Sequence, residues 1–113
     1  MSQNNNNNNY RDRRTFERFP LSLPVRFFDF YRQQEGEGKT VDISAKGMGL
    51  VTEKNLNAYT PLEIWVDIPQ SAQPFYARAE VVWSKPISQN LNRVGIEFEQ
   101  ADLMGVSRLL RAR

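Results

Sequence analysis

Three stretches of this chain alternate apolar and polar side chains with a period of two. Leu62, Ile64, Val66 and Ile68 alternate with Glu63, Trp65 and Asp67. Phe75, Ala77, Ala79, Val81 and Trp83 alternate with Tyr76, Arg78, Glu80 and Val82, and Val94, Ile96 and Phe98 alternate with Gly95, Glu97 and Glu99. That period belongs to strands with one face in a core. Upstream, the aromatic-rich run Val25 to Phe30, with Pro24 at its start, predicts a first strand. Lys39 to Ile43 reads as a second, with Val41 and Ile43 on one face and Asp42 and Ser44 on the other. Met48 to Thr52 reads as a third. Between these lie a polar turn at Gln33–Gly38, a connection at Ser44–Gly47, and loops at 53–60, 69–74 and 85–92. From Asp102 the period changes. Leu103, Val106, Leu109 and Leu110 share one helical face, with Asp102 as candidate N-cap and arginines in the last turn. Gly105 weakens that helix by roughly 1 kcal/mol relative to alanine.

Six short strands followed by one helix predict an all-β fold, an antiparallel barrel or sandwich. Closing the barrel would remove exposed strand edges, and the helix would cover one open side with its leucines.

The length, 113 residues, suits one domain, and 40% hydrophobic residues with 12% aromatic suffice for one small core. Residues 1–12, with the tract Asn4 to Asn9, are expected to be a disordered tail, leaving 13–113 as the folded domain. Cysteine and histidine are absent. That removes a disulfide framework, the commonest metal ligand and the commonest base near neutral pH. No calcium-loop spacing or paired catalytic constellation appears, so the chain is not expected to be an enzyme or to carry a metal. No long apolar run and no signal-peptide core are present, which makes a cytoplasmic protein without membrane contact the expectation. The net charge is only +2, but Arg11, Arg13, Arg14 and Arg18 crowd one end, and Arg108, Arg111 and Arg113 the other.

Two short strings carry candidate chemistry. Arg14 and Arg18 form R-x-x-x-R just before Phe19-Pro20, where proline imposes an extended backbone. Asp42, Ser44 and Gly47 form D-x-S-x-x-G at the end of a strand-like run. A guanidinium grips phosphate oxygens in pairs, or the O6/N7 edge of guanine, and stacks on a base. A carboxylate accepts both donors of guanine's Watson–Crick edge. Ser44 could donate to a phosphate or bond the base, and Gly47 and Gly49 allow close approach to the main chain. Either string alone is commonplace: exposed arginines are usually solvated charge, and Asp and Ser usually bond nearby turn backbone. Together, in this order and before six strands, they suit a guanine-containing, phosphate-bearing ligand.

With these motifs the chain resembles the PilZ domain, the bacterial receptor module for cyclic di-GMP. The strings Ala79-Glu80-Val81-Val82-Trp83 and Arg93-Val94-Gly95-Ile96-Glu97-Phe98 resemble that family's late strands, and the likeness runs from about Arg13 to the C-terminus. It implies a six-stranded antiparallel, split β-barrel with a C-terminal helix. Cyclic di-GMP would be bound, as ligand rather than cofactor, by Arg13, Arg14, Arg18, Asp42, Ser44 and Gly47. It further implies an arginine segment that wraps the ligand, and a residue before the motif, Arg13, that influences whether one ligand or a stacked pair binds. The output would pass to an unidentified protein effector, from a monomer or weak dimer. Two other readings stand beside this one: a ligand-independent interaction module, and a single-stranded nucleic-acid binder, which the near-balanced charge disfavours. Trp83 falls in an inward row, at the core or barrel rim; beside the site it would report binding by fluorescence. Trp65 falls opposite the apolar row of its strand, either under the helix or exposed to a partner.

Overall fold

The computed structural model describes residues 17–101 and 103–112. The Asn-rich tail, Arg13, Arg14 and Asp102 lie outside the described residues. Seven strands and one helix occur in order: β1 (Phe19–Pro20), β2 (Pro24–Asp29), β3 (Gln34–Ile43), β4 (Gly47–Thr52), β5 (Pro61–Val66), β6 (Phe75–Ser88), β7 (Leu91–Ala101) and α1 (Leu103–Ala112). All pairings are antiparallel, in the order β3-β2-β5-β6-β7-β4, and β4 pairs back to β3. Six strands thus close a barrel. The two-residue β1 lies along the far end of β3, on the edge that β2 leaves free.

The inward positions of every alternating stretch meet in one core. Phe27, Ile43, Met48, Leu50, Ile64, Phe75, Val81 and Val94 are all essentially inaccessible, each contributing about 1.5–3 kcal/mol of burial. Helix α1 lays Val106 and Leu109 on this core, and Leu110 packs at its margin. Arg108 ties the helix to the β5–β6 loop, donating to Ser71 Oγ at 3.2 Å and Gln73 O at 3.4 Å.

The segment Gln33–Gly38, expected to be a turn, is mostly strand. The turn sits earlier, at residues 30–33, where Asp29 Oδ1 accepts the amides of Tyr31 and Arg32 and Gln33 adopts φ 55°. Gly36 serves packing instead, since a Cβ there would lie 2.4 Å from the Phe27 ring. The 85–92 loop likewise shrinks to Gln89–Asn90, because β6 and β7 extend as a hairpin beyond the barrel. Residues 82–88 are exposed there, so no apolar alternation marks them as strand.

Bulges matter most for function. Thr40 pairs with Leu50 and Asp42 with Gly49, leaving Val41 as the extra residue. The expected sharing of one face by Val41 and Ile43 is therefore broken. Thr40 turns inward, where its hydroxyl donates to Leu21 O at 2.7 Å and accepts from Leu23 N at 2.8 Å. A second bulge, between Val81 and Trp83, takes Trp83 out of the inward row and leaves it 42% exposed.

Candidate functional site

The bulge in β3 aims Asp42 across the outer face of β4. Asp42 stands opposite Gly49, Gly49 opposite Gly95 on β7, and Gly95 opposite Trp83 on β6. This four-residue row runs across four strands with no side chain in its middle. A Cβ on Gly49 would lie 2.8 Å from Asp42 Oδ1, and one on Gly95 would lie 2.3 Å from Trp83 Nε1. The two glycines thus let a carboxylate and an indole lie over bare backbone from opposite sides. The resulting open cleft has a volume of about 450 Å³.

Asp42 is held by three neighbours. Its Oδ1 accepts the Gly49 amide at 2.9 Å and lies 3.1 Å from an Arg18 guanidinium nitrogen. Its Oδ2 lies 3.7 Å from Arg93, too far for a good hydrogen bond, so this oxygen retains acceptor capacity. Arg18 arrives because β1 pairs Phe19 with Ile43 and Pro20 with Asp42. The guanidinium one residue upstream then falls beside the carboxylate. Lys46 and Glu97 face each other at 3.9 Å on the cleft wall. The lining therefore carries three cations, Arg18, Lys46 and Arg93, against two carboxylates, Asp42 and Glu97. Lys85 adds a further positive charge, 5.9 Å from the Trp83 ring.

Ser44 sits differently from the expected outward face shared with Asp42. It borders the cleft but is buried, because β3 ends at Ile43 and the chain turns. Its hydroxyl accepts the amides of Lys46 and Gly47, both at 3.2 Å, and donates to Gly47 O at 3.3 Å. In this arrangement Ser44 shapes the turn that starts β4. Gly47 is required by close approach, since a Cβ there would lie 2.1 Å from the Ile96 carbonyl oxygen of β7.

The structure thus gathers Arg18, Asp42, Ser44 and Gly47 at one cleft. It adds Trp83 and Arg93, which lie outside R-x-x-x-R and D-x-S-x-x-G but end and open the two late-strand strings. Their signal was available in Gly49 and Gly95, isolated glycines in strands, which mark bulges or close backbone approach.

Comparison with known proteins places the fold. The PilZ domain profile matches residues 12–112. The chain belongs to the PilZ domain family. Among solved structures, this PilZ chain is similar to the Bacillus subtilis inhibitor of motility MotI/DgrA, with TM-score 0.69 and 18% identity over 88% of this chain and 48% of that one. It therefore spans about half the length of that protein. It is also similar to the PilZ domain of Escherichia coli YcgR with c-di-GMP, with TM-score 0.68 and 18% identity over 88% of this chain and 87% of the other. A third likeness is to the PilZ domain of CeSA from a cellulose-synthesizing bacterium, with TM-score 0.59 and 18% identity over 84% and 92% of the two chains. No curated protein sequence matches the chain. Among the described residues, no helix is long and apolar enough to cross a membrane, and no group of three or more His, Cys, Asp or Glu side chains is placed to hold a metal.

Proposed function

We propose that this PilZ domain is a cyclic di-GMP receptor without catalytic activity of its own. The observation that carries the reading is the convergence of Arg18 and Asp42, 3.1 Å apart, beside a strip of bare glycine backbone flanked by an indole. Asp42 offers acceptors for the N1–H and N2–H of guanine. Gly95 lets the Trp83 indole lie down over β7, where its outer face offers a flat base a ring to stack on. Arg18 and Arg93 supply guanidiniums for the phosphates or the O6/N7 edge of a base. Ser44 and Gly47 contribute the turn that presents these groups. Arg13 and Arg14, adjacent in sequence to the cleft's entry strand, would complete the cation set and order against the barrel when ligand binds. That disorder-to-order change would be read by a protein partner. The likeness to the PilZ domain of E. coli YcgR with c-di-GMP supports the ligand class.

Isothermal titration with cyclic di-GMP, with GTP as control, tests this. Binding selective for cyclic di-GMP is expected. Arg14→Ala, Arg18→Ala and Asp42→Ala should each weaken it by about ten- to a hundredfold, the equivalent of roughly 1.5–3 kcal/mol for a charged hydrogen bond. Wild-type affinity in both arginine variants would refute the site assignment. A stoichiometry near two would support a stacked pair dependent on Arg13, and a value near one would count against it. Absence of binding would leave an interaction module.

A further inference from the structure

On the barrel wall formed by β2, β3 and β5, a groove of about 550 Å³ shares no lining residue with the cleft. Its walls are aromatic. Phe28 and Phe30 meet edge to face at 5.1 Å, and Trp65 leans on Tyr76 at 5.6 Å. Phe28 and Trp65 are outward positions, since Val25, Phe27, Ile64 and Val66 fill the inward ones; Phe30 follows in the turn after β2, and Tyr76 stands opposite Trp65 on β6. Among the described residues, α1 packs chiefly on β6. Tyr76 is exposed and Phe28, Phe30 and Trp65 are half-buried, so this face offers a partner an apolar surface that is still partly open to solvent.

The charges lining this groove select its occupant. Glu35, Glu37 and Glu63 stand against a single cation, Arg26. That arginine is already engaged, 3.6 Å from Asp67 and 5.8 Å over the Trp65 ring. Glu63 accepts the Tyr76 hydroxyl, a bond that leaves its negative charge in place. None of the three glutamates forms an ion pair among the described residues. Glu35 and Glu37 are two residues apart on one strand, so their side chains leave the same face about 6.8 Å apart. Arginine fits such a surface better than lysine. Its planar head stacks on aromatic rings while its fork engages a carboxylate. Arg26 over Trp65 displays that mode within the chain itself.

We infer that this acidic, aromatic face docks a partner protein that presents closely spaced arginine side chains. The probe is the peptide acetyl-Arg-Ser-Arg-Ser-Arg-amide, titrated into the full-length, ¹⁵N-labelled chain, with lysine and glutamate counterparts as controls. Amide and indole shifts should concentrate on Phe28, Glu35, Glu37, Glu63 and Trp65, while Gly49 and Gly95 stay still. The arginine peptide should bind at least threefold more tightly than the lysine one. E35K/E37K, two exposed changes, should weaken it at least fivefold with the rest of the spectrum unchanged. W65L should abolish the preference for arginine over lysine. Shifts spread over all surface acids, shifts centred on Asp42, or equal affinity for both cationic peptides would overturn the inference. So would concentration-dependent self-association in sedimentation that W65L abolishes, because a second copy would then be the occupant.

Discussion

Replacing Asp42 by alanine and by asparagine separates two contributions that the structure places on one side chain. The hydrogen bond from the Gly49 amide to Oδ1, at 2.9 Å, joins a buried residue of β4 to an ionised acceptor. Leaving that donor without a partner costs about 1–3 kcal/mol, and the open cleft admits water, which favours the lower half of that range. The two ion pairs are weaker. Arg18 and Arg93 have side chains 46% and 40% exposed, so together they contribute less than about 1 kcal/mol, falling with salt. Alanine removes everything, and Asp42→Ala should cost about 1–3 kcal/mol. Asparagine keeps an acceptor for Gly49 and loses only the charge, so Asp42→Asn should cost about 1 kcal/mol or less. For a domain of this size 1 kcal/mol corresponds to about 4–8 °C in Tm. The two variants should therefore differ by about 5–10 °C in calorimetric melting, with the asparagine form the more stable. Equal melting temperatures would show that the charge pairs, not the bond to Gly49, hold this carboxylate, and would refute the reasoning.

Other perturbations concern the glycines and Tyr76. Gly47→Ala sets a Cβ 2.1 Å from the Ile96 carbonyl oxygen, so β4 and β7 must part; a loss of about 1–3 kcal/mol in urea unfolding is expected. Gly95→Ala meets a movable ring instead, at 2.3 Å from Trp83 Nε1. In a Trp65→Phe background it should displace the indole and shift its emission with less loss of stability than Gly47→Ala. The Tyr76 phenol is pushed above its ordinary pKa of 10.0, first by its hydrogen bond to Glu63, then by burial and by the Glu63 charge. The unfolded chain therefore ionises before the folded one as pH rises. The stability from this bond is complete below about pH 10 and is lost as pH climbs through the raised value. Ultraviolet titration should show one late-ionising tyrosine, which Glu63→Gln returns toward the ordinary range.

The barrel was legible because its strands bury one face, and Leu62 to Val66, Phe75 to Val81 and Val94 to Ile96 alternate accordingly. Legibility failed where both faces meet solvent, as in the β6–β7 hairpin. It failed also where glycine serves packing rather than turning, as at Gly36. The R-x-x-x-R and D-x-S-x-x-G strings pointed to the cleft, and Arg18, Asp42, Ser44 and Gly47 do meet there. The distinct position of Ser44 was not legible, because alternation says nothing once a strand ends. The exposure of Trp83 was hidden for a related reason. A single inserted residue, Val82, reverses the face of the residues that follow it, up to the next shift between Pro86 and Ser88, and no periodicity argument anticipates an insertion of one.

The arrangement around Asp42 bears on how a ligand would be received. Oδ1 is shared between the Gly49 amide and Arg18. The amide fixes the carboxylate to β4, whereas the arginine precedes the two-residue β1 and has a side chain 46% exposed. A guanine edge arriving at Asp42 therefore meets an acceptor already oriented, and loses little to ordering it. The contact it must displace or share is the exposed pair with Arg18, worth less than about 1 kcal/mol. On the same reading, Arg18 once released would be free to engage a phosphate in the cleft. On the proposed reading, the weak pair would serve as a latch that ligand opens at small cost, while the bond to Gly49 keeps the site in shape. Arg18→Lys separates these roles. It preserves a charge near Asp42 and hence stability, but lacks the fork for a phosphate, so on the proposed reading it should weaken cyclic di-GMP while leaving Tm within about 2 °C of wild type. A large loss of stability in Arg18→Lys would show that this arginine is structural, and the latch would fall.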